Sequence, residues 1–381
     1  MQASKPLMRV AALGTVLLLA ACATPPQAAT EPRGVPTHAE LSGAVHRALE
    51  GQDVPGGAII VTGPGAAETL LTFGDADREA PGETGGESRE VADGTRFAYR
   101  SITKSFVGTV IMQLADEGKL ALDDPISRYV DGVPGGDGVT IADLGDMRSG
   151  LANYSASPQL GELLVSAPDR EPRTSELLDL AYPDSPVFDA GTAYEYSNTN
   201  TLLLGETIER ITGKPWQEAV RQRILRPLRL DSVHYGFTDP QLDARGFQFG
   251  LEGDPERLPQ AAPGWFGAAG ALTGDIRDLA TWGTALGSGA LIDAATHSAR
   301  LSVLGSIADD PKSPEYDRYG FALGEIDGWV GHTGNGLGFQ ALTMHDAGSG
   351  RTVAVLINGT GADPDLPAHM FREILADMPP R

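Results

Sequence analysis

The segments patterned as β-strand lie at the two ends of this chain, and the stretch between them is patterned mainly as helix. Near the N-terminus, Gly56-Gly-Ala-Ile-Ile-Val61 and Thr69-Leu-Leu-Thr-Phe73 read as two strands joined by a Gly-Pro-Gly turn. Near the C-terminus, 338–345 and 351–358 read as two more, joined by Ala347-Gly-Ser-Gly350. A sheet drawn from both termini must hold whatever lies between as an insertion. The pattern therefore predicts an α/β domain with an inserted helical lobe, roughly residues 119–265. Helices are expected from His38 (Leu41, Val45 and Leu49 at helical spacing), over 101–118, 200–211, 215–225, after the glycine turn at Gly267 to Leu286, and over 364–377. Residues 75–94 are acidic and glycine-rich and read as a solvated loop. No internal repeat is present. With 381 residues, 41% of them hydrophobic, the chain is long enough for a large core, as one large domain or two intertwined ones.

The first residues read as a targeting segment. Lys5 and Arg9 form a basic region, Val10–Leu19 an apolar one too short to span a bilayer, and Leu19-Ala-Ala-Cys22 follows. That string resembles a bacterial lipobox, in which the cysteine is lipidated and becomes the new N-terminus; the alternative is a plain secretory signal cut nearby. The expected layout is a lipoprotein signal peptide over 1–21, a proline-rich tether over 22–37 and the folded domain over 38–381, exported and held at a membrane by the lipid on Cys22. Cys22 is the single cysteine, so no intrachain disulfide can form and the core alone must stabilise the fold. A net charge of −22 argues against nucleic acid, whose phosphates need a basic footprint.

Ser101-Ile-Thr-Lys104 opens the apolar-periodic stretch 101–118 and sets a hydroxyl and an amine three residues apart on one helical face. A lysine kept neutral there can help take the serine proton, which makes an acyl-enzyme chemically accessible. Of the five lysines, Lys104 is the one with a serine or threonine three residues before it. The string alone equally fits an N-cap serine and an exposed lysine. Tyr196-Ser197-Asn198 pairs a phenol able to shuttle a proton with an amide able to hold a substrate amide, or is simply a turn. His332-Thr333-Gly334, followed by Asn335-Gly336, reads as a strand edge open to an extended substrate, or as a glycine turn with an incidental histidine. Other chemistries lack their strings: there is no Gly-x-Ser-x-Gly elbow, no His-Glu-x-x-His, no cysteine pair and no phosphate-binding loop.

Ser-x-x-Lys, Tyr-Ser-Asn and His-Thr-Gly in this order resemble the motifs of the serine β-lactamase and penicillin-recognising enzyme family. The likeness is greatest to its class C β-lactamase, DD-peptidase and esterase branch. Gly56-Gly-Ala, Asp146-Met-Arg-Ser-Gly-Leu151, Tyr196-Ser-Asn-Thr-Asn200 and Gly267-Ala-Ala-Gly270 add to the likeness, which covers roughly residues 40–378. The resemblance implies an α/β fold of the β-lactamase/transpeptidase type, an antiparallel sheet flanked by helices with a mainly helical second lobe. It implies Ser101 as the acylated nucleophile, with Lys104 and Tyr196 sharing the proton transfers as a coupled pair. Asn198 would orient the substrate amide, His332, Thr333 and Gly334 would line the strand edge, and the N–H groups of Ser101 and Asn335 would form the oxyanion hole. The substrates implied are D-alanyl peptides, β-lactams or small esters, with no metal or organic cofactor. Many β-lactamases have lysine at the place of His332, a permanent cation for a substrate carboxylate; histidine is mostly neutral near pH 7 and shifts the expectation toward a peptidase or esterase. The competing expectation is a non-turnover acyl trap or receptor at the cell surface.

Overall fold

Successive residues of the strand Arg351–Ile357 face two different apolar layers. Val353, Val355 and Ile357 pack with Leu41, Val45, Met370 and Phe371, whereas Ala354 and Leu356 pack with Ile102, Phe106 and Trp282. This alternation, with both faces buried, produces the nearly unbroken apolar runs read in the sequence. The computed structural model describes Met1 and residues 34–78, 88–249, 256–307, 314–361 and 363–378. The targeting segment and Cys22 lie outside them, and among them no helix is long and apolar enough to cross a membrane.

Among the described residues one sheet has nine strands. In spatial order these are Arg89–Glu90, Thr69–Asp77, Gly56–Thr62, Arg351–Ile357, Phe339–Asp346, Trp329–Gly336, Leu323–Ile326, Arg318–Gly320 and Gly305–Ser306. All neighbours are antiparallel, and Gly56–Thr62 lies beside Arg351–Ile357, so the two termini do complete one sheet. The terminal helices His38–Ala48 and Leu366–Asp377 cover one face. Helix Ile276–Ser288 covers the other, brought close by Gly283, where an added Cβ would lie 1.9 Å from Thr343 Oγ1. Beyond it lies helix Thr103–Asp116, buried on nearly every side, with Phe106 stacked on Trp282 at 3.9 Å between ring centroids. Helices Pro158–Ser166, Thr174–Ala181 and Asn198–Thr212 lie in the chain between the N-terminal and C-terminal strands of the sheet.

Three outcomes of the sequence reading have physical causes. The strand Trp329–Gly336 is a full member of the sheet, which decides for the strand and against the glycine turn that the sequence also allowed there. Glycine is needed there: a Cβ on Gly331 would lie 1.9 Å from the Thr343 carbonyl oxygen of the next strand. The loop expected over 75–94 is shorter, because the strand Thr69–Asp77 continues and pairs with Arg89–Glu90. A short strand, Leu272–Gly274, interrupts the run expected as helix after Gly267 and joins Phe97–Ala98 to His234–Tyr235.

Candidate active site

Ser101 sits in a 3-10 turn, Arg100–Ile102, at the entrance of helix Thr103–Asp116. Arg100 holds a left-handed φ of 51°, an uncommon conformation for a residue with a Cβ. Its guanidinium is committed: Nε donates to Gly336 O at 2.8 Å, Nη2 to Leu337 O at 3.0 Å, and its carbon lies 4.0 Å from the Phe266 ring centroid. Arg100 thus ties the start of the helix to the end of the strand Trp329–Gly336. Gly334 lets the two meet, since a Cβ there would lie 2.2 Å from Tyr99 O and 3.1 Å from Ser101 N. Gly334→Ala is expected to keep the native circular-dichroism spectrum yet lose roughly 10²-fold in kcat/KM on an activated ester, the cost of a displacement of about 1 Å. An unimpaired variant would show that this approach does not set the catalytic geometry.

Lys104 follows one turn later and is fully buried. Its Nζ lies 2.8 Å from Ser101 Oγ and 2.8 Å from Ala269 O, in the Gly267-Ala-Ala-Gly270 string. Burial pushes the amine well below the ordinary lysine range. Among the described residues no carboxylate pairs with it, so nothing restores the ammonium. A neutral amine donates to the Ala269 carbonyl and offers its lone pair to the Ser101 hydroxyl.

Tyr196 and Asn198 come from the segment that enters helix Asn198–Thr212. The Tyr196 hydroxyl interacts with the Ser101 side chain, and its ring centroid lies 5.1 Å from Lys104 Nζ. Burial, together with Tyr316, pushes the phenol well above its ordinary pKa, so it stays protonated. Asn198 Nδ2 donates to Ser155 Oγ at 2.8 Å. The Asp146-Met-Arg-Ser-Gly-Leu151 string underlies this segment: Ser149 Oγ donates to Asn200 Oδ1 at 2.7 Å in a fully buried pair.

On the strand Trp329–Gly336, Thr333 donates from both its N–H and its Oγ1 to the Tyr316 hydroxyl, at 2.7 and 2.8 Å. Its amide therefore points away from Phe339–Asp346, toward the edge left open where pairing with Leu323–Ile326 stops at Gly331. Strand backbone repeats this direction every two residues, so the Asn335 N–H points to the same edge. The Ser101 N–H, in a first helical turn, also lacks an intrahelical acceptor. The Asn335 side chain is anchored by Nδ2 to Pro364 O at 2.8 Å.

His332 departs from the expectation that it lines the strand edge. Its ring is fully buried between two phenols, with Nδ1 2.6 Å from Thr333 O and 3.1 Å from Tyr316 Oη, and Nε2 3.0 Å from Tyr319 Oη. The carbonyl can only accept, so the proton sits on Nδ1 and Nε2 accepts from Tyr319. Burial first, and the nearby Lys104 second, push its pKa down to about 3. A neutral, enclosed ring cannot meet a substrate carboxylate.

The cleft at Ser101 has two lobes that share Ser101, Asn198 and Asn335. One, about 300 Å³, is walled by Leu160, Leu164, Trp265, Phe266 and Leu337. The other, about 400 Å³, is walled by Tyr196, Thr333, Gly334, Pro314, Asp365 and Pro367. Sequence reasoning missed Arg100, Tyr316, Tyr319 and Asp365, none of which lies in a motif; the Ala269 string was the one advance signal for that contact. Among the described residues no group of His, Cys, Asp and Glu could hold a metal ion.

The profile of the beta-lactamase family matches residues 41–377. The chain belongs to that family. It is a hydrolase with the family's mixed α/β fold. It is 26% identical over 339 residues to penicillin-binding protein 4 of Amycolatopsis lactamdurans, covering 83% of this chain and 86% of that one. To the D-aminopeptidase of Brucella canis it is 26% identical over 355 residues, 89% of this chain but 63% of that longer protein. A D-stereospecific amidohydrolase from Streptomyces superposes with a TM-score of 0.75 and 27% identity, over 89% of this chain and 98% of its own.

Proposed function

We propose that the protein is a serine hydrolase that forms and then hydrolyses an acyl-Ser101 intermediate, acting on D-amino-acid amides and peptides, β-lactams or small esters. One observation carries the reading: a buried amine without a carboxylate partner among the described residues, 2.8 Å from the Ser101 hydroxyl. Ser101 Oγ attacks the substrate carbonyl and its proton passes to Lys104. The N–H groups of Ser101 and Asn335 receive the charge that develops on the carbonyl oxygen. Tyr196, held as a phenol, gives its proton to the leaving group and recovers one from the Lys104 ammonium. Water then attacks the acyl-enzyme by the reverse proton route. The depressed lysine and elevated tyrosine favour Lys104 over Tyr196 as first proton acceptor. The substrate classes are those named for its relatives, a D-aminopeptidase, a D-stereospecific amidohydrolase and a penicillin-binding protein. Time-resolved hydrolysis of a p-nitrophenyl ester tests the reading. Steady release is expected; one equivalent of product without turnover would replace it with the acyl trap.

The proposal extends to the N-terminus, where the basic region, apolar run and Leu19-Ala-Ala-Cys22 support export and lipidation. Cells fed an alkyne fatty acid are expected to label the full chain, and Cys22→Ser to lose both label and detergent-phase partitioning. Equal labelling of the variant would remove the anchor.

A further inference from the structure

We propose that Asp365 makes the leaving-group lobe of the cleft a site for neutral or ammonium-bearing groups and one that rejects a free carboxylate. The inference rests on the serine-hydrolase reading above. The lobes can be told apart chemically. Tyr196, the proton donor to the leaving group, lines only the 400 Å³ lobe, so the departing half of the substrate occupies that side. The apolar lobe is left for the acyl half.

Among the described residues the leaving-group lobe is lined by one carboxylate and no cation. Asp365 stands at the entrance of helix Leu366–Asp377, partly exposed, with Oδ1 accepting the Glu315 N–H at 3.2 Å. The acids beside it have partners of their own. Arg372 takes Glu315 at 2.5 Å, and His369 lies 2.7 Å from Asp363 and 3.0 Å from Glu315. Among the described residues no lysine, arginine or histidine pairs with Asp365.

Among the described residues the nearby cations are unavailable to a substrate. Arg100 belongs to the other lobe and is spent on the carbonyls of Gly336 and Leu337. Lys104 is enclosed against Ser101 and Ala269 O, and His332 is neutral behind the strand. A carboxylate on the leaving group would meet a like charge that no described cation compensates, whereas an ammonium would meet its counter-ion. β-Lactams and peptides ending in a free carboxylate put that carboxylate on this side. Amides, capped peptides and esters do not.

The test uses thioesters of one acyl group with three leaving thiols of similar size: thiocholine, 3-mercaptopropanamide and 3-mercaptopropionate. Thiol release is followed with a disulfide reagent on the full chain. Expected is an order of kcat/KM of thiocholine above propanamide above propionate, with roughly tenfold between the extremes, as for a partly screened charge pair. Asp365→Asn, which keeps the oxygen that accepts from Glu315, should bring the extremes together, and Asp365→Lys should invert them. Equal rates, or propionate fastest, in the parent protein would overturn the inference. So would an order that survives both substitutions. Propanamide release that does not depend on Ser101 would overturn the serine-hydrolase reading itself, and the inference with it. Ser101-dependent release without charge preference would overturn the inference alone.

Discussion

Ser101→Ala is expected to lower ester turnover by roughly 10⁴-fold or more, the scale on which removing a nucleophile acts when its partners remain. It should also abolish any mass increase of the intact protein after exposure to a β-lactam or an activated ester. The fold should survive, because Ser101 is partly exposed and the tie between helix and strand comes from Arg100 and Gly334. A melting temperature within a few degrees of the parent would separate lost chemistry from lost structure. No neighbouring hydroxyl has the equipment to take over. Ser155, the other serine lining the cleft among the described residues, donates to Asn153 Oδ1 at 3.0 Å and accepts from Asn198, with no amine beside it. Residual turnover near the parent rate, or a labelled Ser101→Ala protein, would sink the acyl-Ser101 mechanism.

What the sequence disclosed and what it hid follow from the range of the interactions. The strands contributed by the two ends of the chain could be read because Ile59, Ile60, Val61, Val353, Ala354 and Val355 form the near-continuous apolar runs that burial on both faces imposes. Ser101 and Lys104 could be paired because a helix brings residues three apart together, and the structure sets them 2.8 Å apart. The strand Trp329–Gly336 could be read only as one of two alternatives, because what defines it is missing side chains: Gly331 and Gly334 exist to let backbones approach from elsewhere in the chain. His332 could be found but not interpreted. Its neutrality depends on Tyr316 and Tyr319, which are near in sequence yet carry no signal that they would enclose it. Asp365 was invisible for the same kind of reason: a carboxylate in an ordinary helix-starting context becomes a cleft residue only when the last helix folds back beside the strand carrying Thr333 and Asn335. The side chains proposed to bear the reaction were legible as motifs. Asp365, proposed to set its charge selectivity, was not.

Lys104→Met should separate the chemistry of this site from its cost. Removing the proton acceptor while keeping the side-chain volume should lower kcat by roughly 10²- to 10⁴-fold, the range of general-base catalysis. In the parent, kcat/KM should rise with pH as the Lys104 ammonium loses its proton and becomes competent. That limb must fall well below the ordinary lysine pKa, because burial depresses the group. The same depression links pH to stability with a definite sign. Unfolded, the lysine binds a proton up to its ordinary pKa; folded, it releases that proton at lower pH. Between the two values the unfolded state holds the extra proton, so the parent gains stability as pH rises, by at most about 1.4 kcal/mol per pH unit from this group. The methionine variant lacks this dependence. Its stability relative to the parent should therefore be greatest at the low end of the window and shrink as pH climbs toward the ordinary lysine range. Denaturant melts of both proteins across that window measure the difference directly. A constant difference would mean that Lys104 keeps its proton in the folded protein, and the task of accepting the Ser101 proton would then have to pass to Tyr196.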